Sequence, residues 1–206
     1  ATVWMNEEAS MLRAFANTLY IALFSIIGKM FISSLAAYSF AKINFKGKQV
    51  VFMLFLSSMM VPSQLTIIPR FMLFKTIGLY NNLWAIILPA FFGATSIFML
   101  RQFYMGLPND LIEAAKIDGA WHLRIFLRIM LPLTKAALMS LIILAFISSW
   151  NEYMAPLIFL VKKELYTVSQ NIQWYMLDEF KEHNLTMAAA TSAIVPVVIL
   201  FIVGQK

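Results

Sequence analysis

Few residues of this chain are equipped for bond-making chemistry. Cysteine is absent and only His122 and His183 supply imidazole, so thiol chemistry, disulfides and thiolate metal sites are excluded. The two histidines, far apart in sequence, read as loop residues rather than a metal pair. No serine and histidine pairing and no carboxylate pair inside an apolar run is present, which argues against an intramembrane enzyme. What remains is chemistry of recognition. Lys29 stands near the middle of an apolar run, about 18 Å from its far end at 1.5 Å per residue, too deep for easy snorkelling. An intramembrane charge marks a solute path by default, although a water-filled cavity or a partner carboxylate would hold it for structural reasons alone. Ser148, Ser149, Trp150, Asn151, Glu152 and Tyr153 interrupt another apolar run with the hydrogen-bonding and aromatic groups that suit sugar hydroxyls and ring faces. The same aromatic residues also serve as interfacial anchors.

The elements that must position these groups are membrane helices. Of 206 residues, 61% are hydrophobic and 13% charged, against about 25% charged in a soluble domain, and the mean hydropathy is +0.78. Five runs have spanning length, at residues 17–41, 50–69, 82–100, 136–160 in part and 187–203, and each must be helical because a lone strand would leave backbone groups unpaired in lipid. The expected fold is all-α, a polytopic helical bundle making one membrane domain over residues 1–206. Residues 1–16, with Glu7, Glu8 and Arg13, read as an aqueous or interfacial lead-in. The seven prolines fall partly inside the runs, where neighbouring helices can satisfy the freed carbonyls.

The net charge of +6 builds no basic and aromatic stripe of the kind that binds nucleic acid. It orients the chain instead. Lys42, Lys46 and Lys48 crowd the turn after the first run, and Arg101, Lys116, Arg124, Arg128 and Lys135 occupy the connection between the third and fourth. Retention of positive charge places both in the cytoplasm. The opposite side carries Arg70, Lys75 and the mixed-charge segment 161–186. An outside start implies a sixth span upstream, and both ends read as cut.

The most informative stretch is residues 107–138, too polar to span and patterned as two short amphipathic helices. Asn109 or Asp110 can cap the first, from 111 to 118, and Gly119 can end it in a left-handed turn. In the second, from 121 to 130, Trp121, Ile125 and Ile129 recur every fourth residue beside Arg124 and Arg128, until Pro132 resets the chain. On physics alone this hairpin presents one carboxylate, Glu113, and two small side chains, Ala114 and Ala115, to whatever docks. It could equally lie on anionic lipid through its basic residues.

The run Glu113, Ala114, Ala115, then Gly119, then Ile129, Leu131 and Pro132 resembles the EAA loop of ATP-binding-cassette importer permeases. Leu100 to Gln102, Ile117 to Ala120, Pro132 to Thr134 and Trp150 to Glu152 are similar to the carbohydrate-uptake branch, as in the smaller permease of the maltose importer. The resemblance extends over nearly the whole chain. It implies a coupling helix seated in a cleft of a cytoplasmic ATPase, with Glu113 meeting a basic residue and Ala114, Ala115, Asp118, Gly119, Ile129, Leu131 and Pro132 shaping the fit. It also implies a non-catalytic subunit of a multi-pass bacterial inner-membrane complex without a cofactor of its own, ATP and magnesium being held by two ATPase subunits. A second permease and an external solute-binding protein complete the expected set, and sugar moves inward by alternating access. Lys29, Asn151, Glu152 and Tyr153 are the candidates for the path, and segment 161–186 faces the binding protein. An ion-driven transporter would carry more intramembrane carboxylates than the single Glu152.

Overall fold

In a computed structural model, which describes residues 4, 10–177 and 183–204, helices follow one another along the chain: α1 (Met11–Lys42), α2 (Lys48–Ser57), α3 (Ser63–Thr76), α4 (Trp84–Ala90), α5 (Ala94–Met105), α6 (Asp110–Ile117), α7 (His122–Ile125), α8 (Leu131–Leu133), α9 (Lys135–Trp150), α10 (Met154–Phe159), α11 (Val168–Leu177) and α12 (His183–Gly204). The described residues contain no strand. Glu7, Glu8, the charged run Asp178, Glu179, Lys181 and Glu182, and Gln205 and Lys206 lie outside the described residues.

Three described stretches are long and apolar enough to cross a membrane, Met11–Lys42, Trp84–Met105 and Asn184–Ile202, and two bent pairs raise the number to as many as five. The first run therefore starts earlier than the charge pattern suggested. Part of the expected lead-in is helix, because Met11 and Ala14 are buried while Arg13 on the same turn is exposed. The second run is not one helix. Val61, at φ −86° and ψ 113°, breaks it between Met60 and Ser63, as the ring of Pro62 requires of the residue before it. Ahead of the fourth run the chain bends at Thr134, where His122–Leu133 and Lys135–Trp150 meet at 76°, and the run itself is divided between Trp150 and Met154, where α9 gives way to α10.

The chain divides into two compact units. One comprises Ala1–Ile26, Gln64–Ala90 and Ile143–Lys206, and its larger core gathers Met11, Ala14, Ala22, Phe146, Trp150, Val168, Tyr175 and Ala189. Thr18 fastens α1 there, its hydroxyl accepting the Val168 N–H at 2.9 Å, while Asn17 donates to the carbonyls of Glu164 and Tyr166. A smaller cluster joins Phe74, Ala85 and Phe159. Asn81, at φ 59°, organises it by donating its N–H to Phe159 O at 2.9 Å and accepting from the N–H groups of Val161 and Lys162.

The other unit comprises Ile27–Ser63 and Phe91–Ile142. Its core runs from Ala37 and Tyr38 on α1 through Ile97, Leu100 and Tyr104 on α5 to Ile112, Ala115, Ile125, Phe126 and Met130. Polar as it is, the connection after α5 is thus part of a packed core. α12, by contrast, exposes Ile194, Val195, Val198, Ile199, Phe201 and Ile202, an apolar surface on several sides that suits lipid or a neighbouring membrane helix.

Candidate functional site

The connection that carries Glu113 is fixed at its start by a cation from α1. Lys42 Nζ donates to Leu107 O at 2.7 Å and to Asn109 Oδ1 at 2.6 Å. Asn109 does precede α6, but its side chain caps nothing; the first-turn N–H groups of Ile112 and Glu113 bond to the Asn109 backbone carbonyl at 2.8 and 3.0 Å. The expected side-chain cap is replaced by a tether to α1.

Along α6, Ile112 and Ala115 enter the core, whereas Glu113, Ala114, Ile117 and Asp118 face outward, Ile117 with 87% of its surface exposed. The helix ends as its glycine foretold. Gly119 has φ 76°, its N–H reaches Lys116 O at 3.0 Å, and the Ala120 N–H reaches back to Ala115 O at 2.9 Å. These are the two bonds of a Schellman closure, which needs a left-handed residue at that position.

The second half of the loop departs from simple helical spacing. Between α7 and α8, residues Phe126–Met130 form a π turn, with the Leu131 N–H bonded to Phe126 O. A π turn adds one residue, so the buried partner of Ile125 is Met130, five positions on, and Ile129 is only half-buried. Pro132 explains the wide turn, since it has no N–H for Arg128 and its ring would crowd that carbonyl. Pro132 itself lies within α8, and the chain changes direction two residues later at the buried Thr134, whose hydroxyl donates to Met130 O at 3.0 Å. Leu131 is half-buried against the core and Pro132 exposed. His122 joins the loop to α1, its Nδ1 lying 3.2 Å from the Tyr38 hydroxyl, while Trp121 and Leu127 remain exposed at 67% and 49%.

The outcome is a stiff surface with unused binding capacity. Among the described residues, Glu113 has neither an ion pair nor a hydrogen-bond partner for its carboxylate, and Ala114, Ile117 and Trp121 supply apolar exposure nearby in sequence.

Lys29 belongs to the same unit. It is half-buried, and its stem passes the break between α4 and α5, where a Cβ placed on Gly93 would lie 3.6 Å from Lys29 Cε. Next to it, the Phe91 ring packs directly on Gly28 and leaves no room for a side chain there. Among the described residues nothing accepts a hydrogen bond from the Lys29 ammonium.

Asn151, Glu152 and Tyr153 lie in the other unit, where Asn151 and Glu152 each make one local hydrogen bond. Asn151 Nδ2 donates to Ile147 O at 2.9 Å, and Glu152 Oε1 accepts the Ala155 N–H at 3.1 Å in the first turn of α10. Tyr153, half-buried, precedes α10. Trp150 is 3% exposed, stacks on Phe146 at 5.3 Å and donates its indole N–H to Ala193 O at 3.0 Å, so its ring is core. The residue that sequence reasoning missed is Arg70. It feels the charge of Glu152 and sits over the Phe159 ring at 5.1 Å. A lone carboxylate in an apolar run was the signal, since such a group calls for a cation.

The segment after α10 folds as a short turn and α11, with Tyr175 buried and the Lys163 ammonium 5.2 Å from the Trp174 ring.

Residues 29–206 match the family model described as binding-protein-dependent transport system inner membrane component. The arabinooligosaccharides transport system permease protein AraQ of Bacillus subtilis is 34% identical over all of this chain and 73% of its own length. The sn-glycerol-3-phosphate transport system permease protein UgpE of Escherichia coli is 30% identical over 99% of this chain and 75% of its own length. Among solved structures, a bacterial ABC transporter involved in the import of the acidic polysaccharide alginate has a chain that superposes with a TM-score of 0.86, at 24% identity over 95% of this chain and 74% of that one. The chain belongs to the inner-membrane components of binding-protein-dependent transport systems, as a helical permease subunit of an ATP-binding-cassette importer.

Proposed function

We propose that this permease moves sugars or oligosaccharides inward, and that α6 is the point at which a separate ATPase drives it. The observation that carries the reading is the outward face of α6: a Glu113 with no partner among the described residues and an 87% exposed Ile117 on a helix whose inner face is locked into the core. Exposed Lys116, Arg124 and Arg128 would suit anionic lipid as well, but an exposed carboxylate beside Ala114 and Ile117 favours a protein partner. Two ATPases would bind ATP and magnesium, this chain contributing no catalytic group or cofactor. A second permease would pair with it, and an external binding protein would deliver the solute. The sugar class is supported by the similarity to the arabinooligosaccharides transport system permease protein of Bacillus subtilis.

Ile117→Cys in an otherwise cysteine-free complex should cross-link to a cysteine in the ATPase cleft, and the yield should change when ATP is added. Absence of any cross-link to the ATPase from this exposed position, with the complex intact, would refute the docking face. We further propose that Lys29 lines the path. Lys29→Met keeps the stem and removes the charge, so it should change uptake kinetics without changing assembly; unchanged kinetics would return Lys29 to a structural role.

A further inference from the structure

A second surface, at the Lys42 end of α1, is built for an anion. A cavity of about 490 Å³ is lined there by Gly47, Lys48, Gln49, Val50, Arg101 and Met105 among others. All belong to one compact unit. Two cations border it, and both are anchored by the last carbonyls of α1. The Arg101 Nε donates to Phe40 O at 3.2 Å and the guanidinium lies 4.2 Å from the Phe52 ring centre. Lys48 Nζ donates to Ala41 O at 3.3 Å.

These anchors orient the cations and leave most of their donors unused, since a guanidinium has five N–H bonds and an ammonium three. No carboxylate lines the cavity. Lys48 feels the charge of Arg101, and Lys42 that of Lys48, so like charges are held together here with no lining anion to offset them. The first turn of α2 adds the Gln49 and Val50 amides, for which the helix itself has no acceptor, the Lys48 N–H being bonded to Phe45 O. A left-handed Gly47, at φ 81°, turns the chain into that helix.

Val50, which lines the cavity, begins an apolar wall along α2 that identifies the occupant. Val50, Val51, Met53 and Leu54 on α2 are exposed at 58%, 49%, 54% and 67%. A free phosphate ion has no use for such a wall, whereas the acyl chains of a phospholipid do. The end of a spanning helix is also the depth at which headgroups lie. We infer that this cavity holds the phosphate headgroup of an anionic phospholipid, gripped by Lys48 and Arg101, with its acyl chains along the exposed face of α2. The inference needs α1 to cross the membrane and is independent of which solute is carried.

Native mass spectrometry of the complex, purified with its partner subunits and equilibrated with phosphatidylglycerol and phosphatidylcholine of identical acyl chains, tests it. The wild type should retain phosphatidylglycerol preferentially, and K48Q/R101Q should lower that preference roughly ten-fold or more. R101K, which keeps the charge, should keep most of it, and K75Q on α3 should leave it unchanged. Equal retention of the two lipids by the wild type, or an undiminished preference in the double variant, overturns the inference. So does displacement of the lipid by inorganic phosphate, which would mark an ion site. Loss of the ATPase from the double variant with lipid retention intact would assign the cavity to protein docking, again against the inference.

Discussion

Two polar interruptions of an apolar sequence, the connection through α6 and the tract from Ser148 to Tyr153, look alike on paper and behave oppositely in the fold. In the first, the buried side chains are apolar and the charged ones are left over. Ile112 and Ala115 pack inward while the Glu113 carboxylate has no partner among the described residues. In the second, three side chains bond to nearby backbone, while Ser148, Ser149 and Tyr153 make no such bond among the described residues. Trp150 gives its N–H to Ala193 O, Asn151 bonds back to Ile147 O, and Glu152 accepts from Ala155. A side chain whose hydrogen bonds are already made inside its own chain offers little to a ligand, because breaking a buried bond costs about as much as the new one gains. Hydrogen-bond satisfaction, more than residue type, separates Glu113 from Trp150, Asn151 and Glu152.

The sharpest way to break this contrast is to treat both regions as structural. Trp150→Ala removes a ring packed between Phe15 and Phe146 and should cost about 3–5 kcal/mol. Thermal unfolding of the purified complex would register it, and uptake per folded complex should change little. Uptake lost while thermal stability is kept would instead place Trp150 on the solute path. Gly119 should show the reverse pattern at smaller magnitude. A Cβ there would meet nothing within 4 Å, so Gly119→Val is opposed only by the left-handed backbone, a cost of about 1–3 kcal/mol. That strain falls on the closure of α6, and uptake should drop further than overall stability does. Gly119→Asn, which tolerates the left-handed region, should recover most of the loss. Equal uptake in all three versions would show that the closure is unrelated to transport.

The sequence made the closure of α6 legible because it depends on one residue, Gly119, with neighbours close in the chain. Its beginning was misread for the opposite reason. Asn109 is a good capping residue, but Lys42, distant in sequence, takes its side-chain oxygen. Spacing rules pointed to Ile129 as the core partner of Ile125, and the π turn before Pro132 substituted Met130. Long apolar runs announced membrane helices, yet could not show that the second is divided at Val61 and the fourth between Trp150 and Met154. For the Trp150 tract, sugar contact and interfacial anchoring stood side by side, and the acceptor of the Trp150 indole, a helix carbonyl at Ala193, is invisible to composition.

The central proposal is that Glu113, which has no partner among the described residues, pairs with a cation of the ATPase. The most direct measurement is uptake, together with ATPase retention on purification, for Glu113→Lys and for Glu113→Lys combined with an acidic replacement of the facing cation. Losing one member of a desolvated pair costs about 3–5 kcal/mol, against about 1 kcal/mol or less at an exposed rim. Glu113→Lys alone should therefore abolish most uptake and loosen the ATPase while the helices stay folded, and the paired reversal should restore part of both. Normal transport by Glu113→Lys with the ATPase firmly bound would contradict the account.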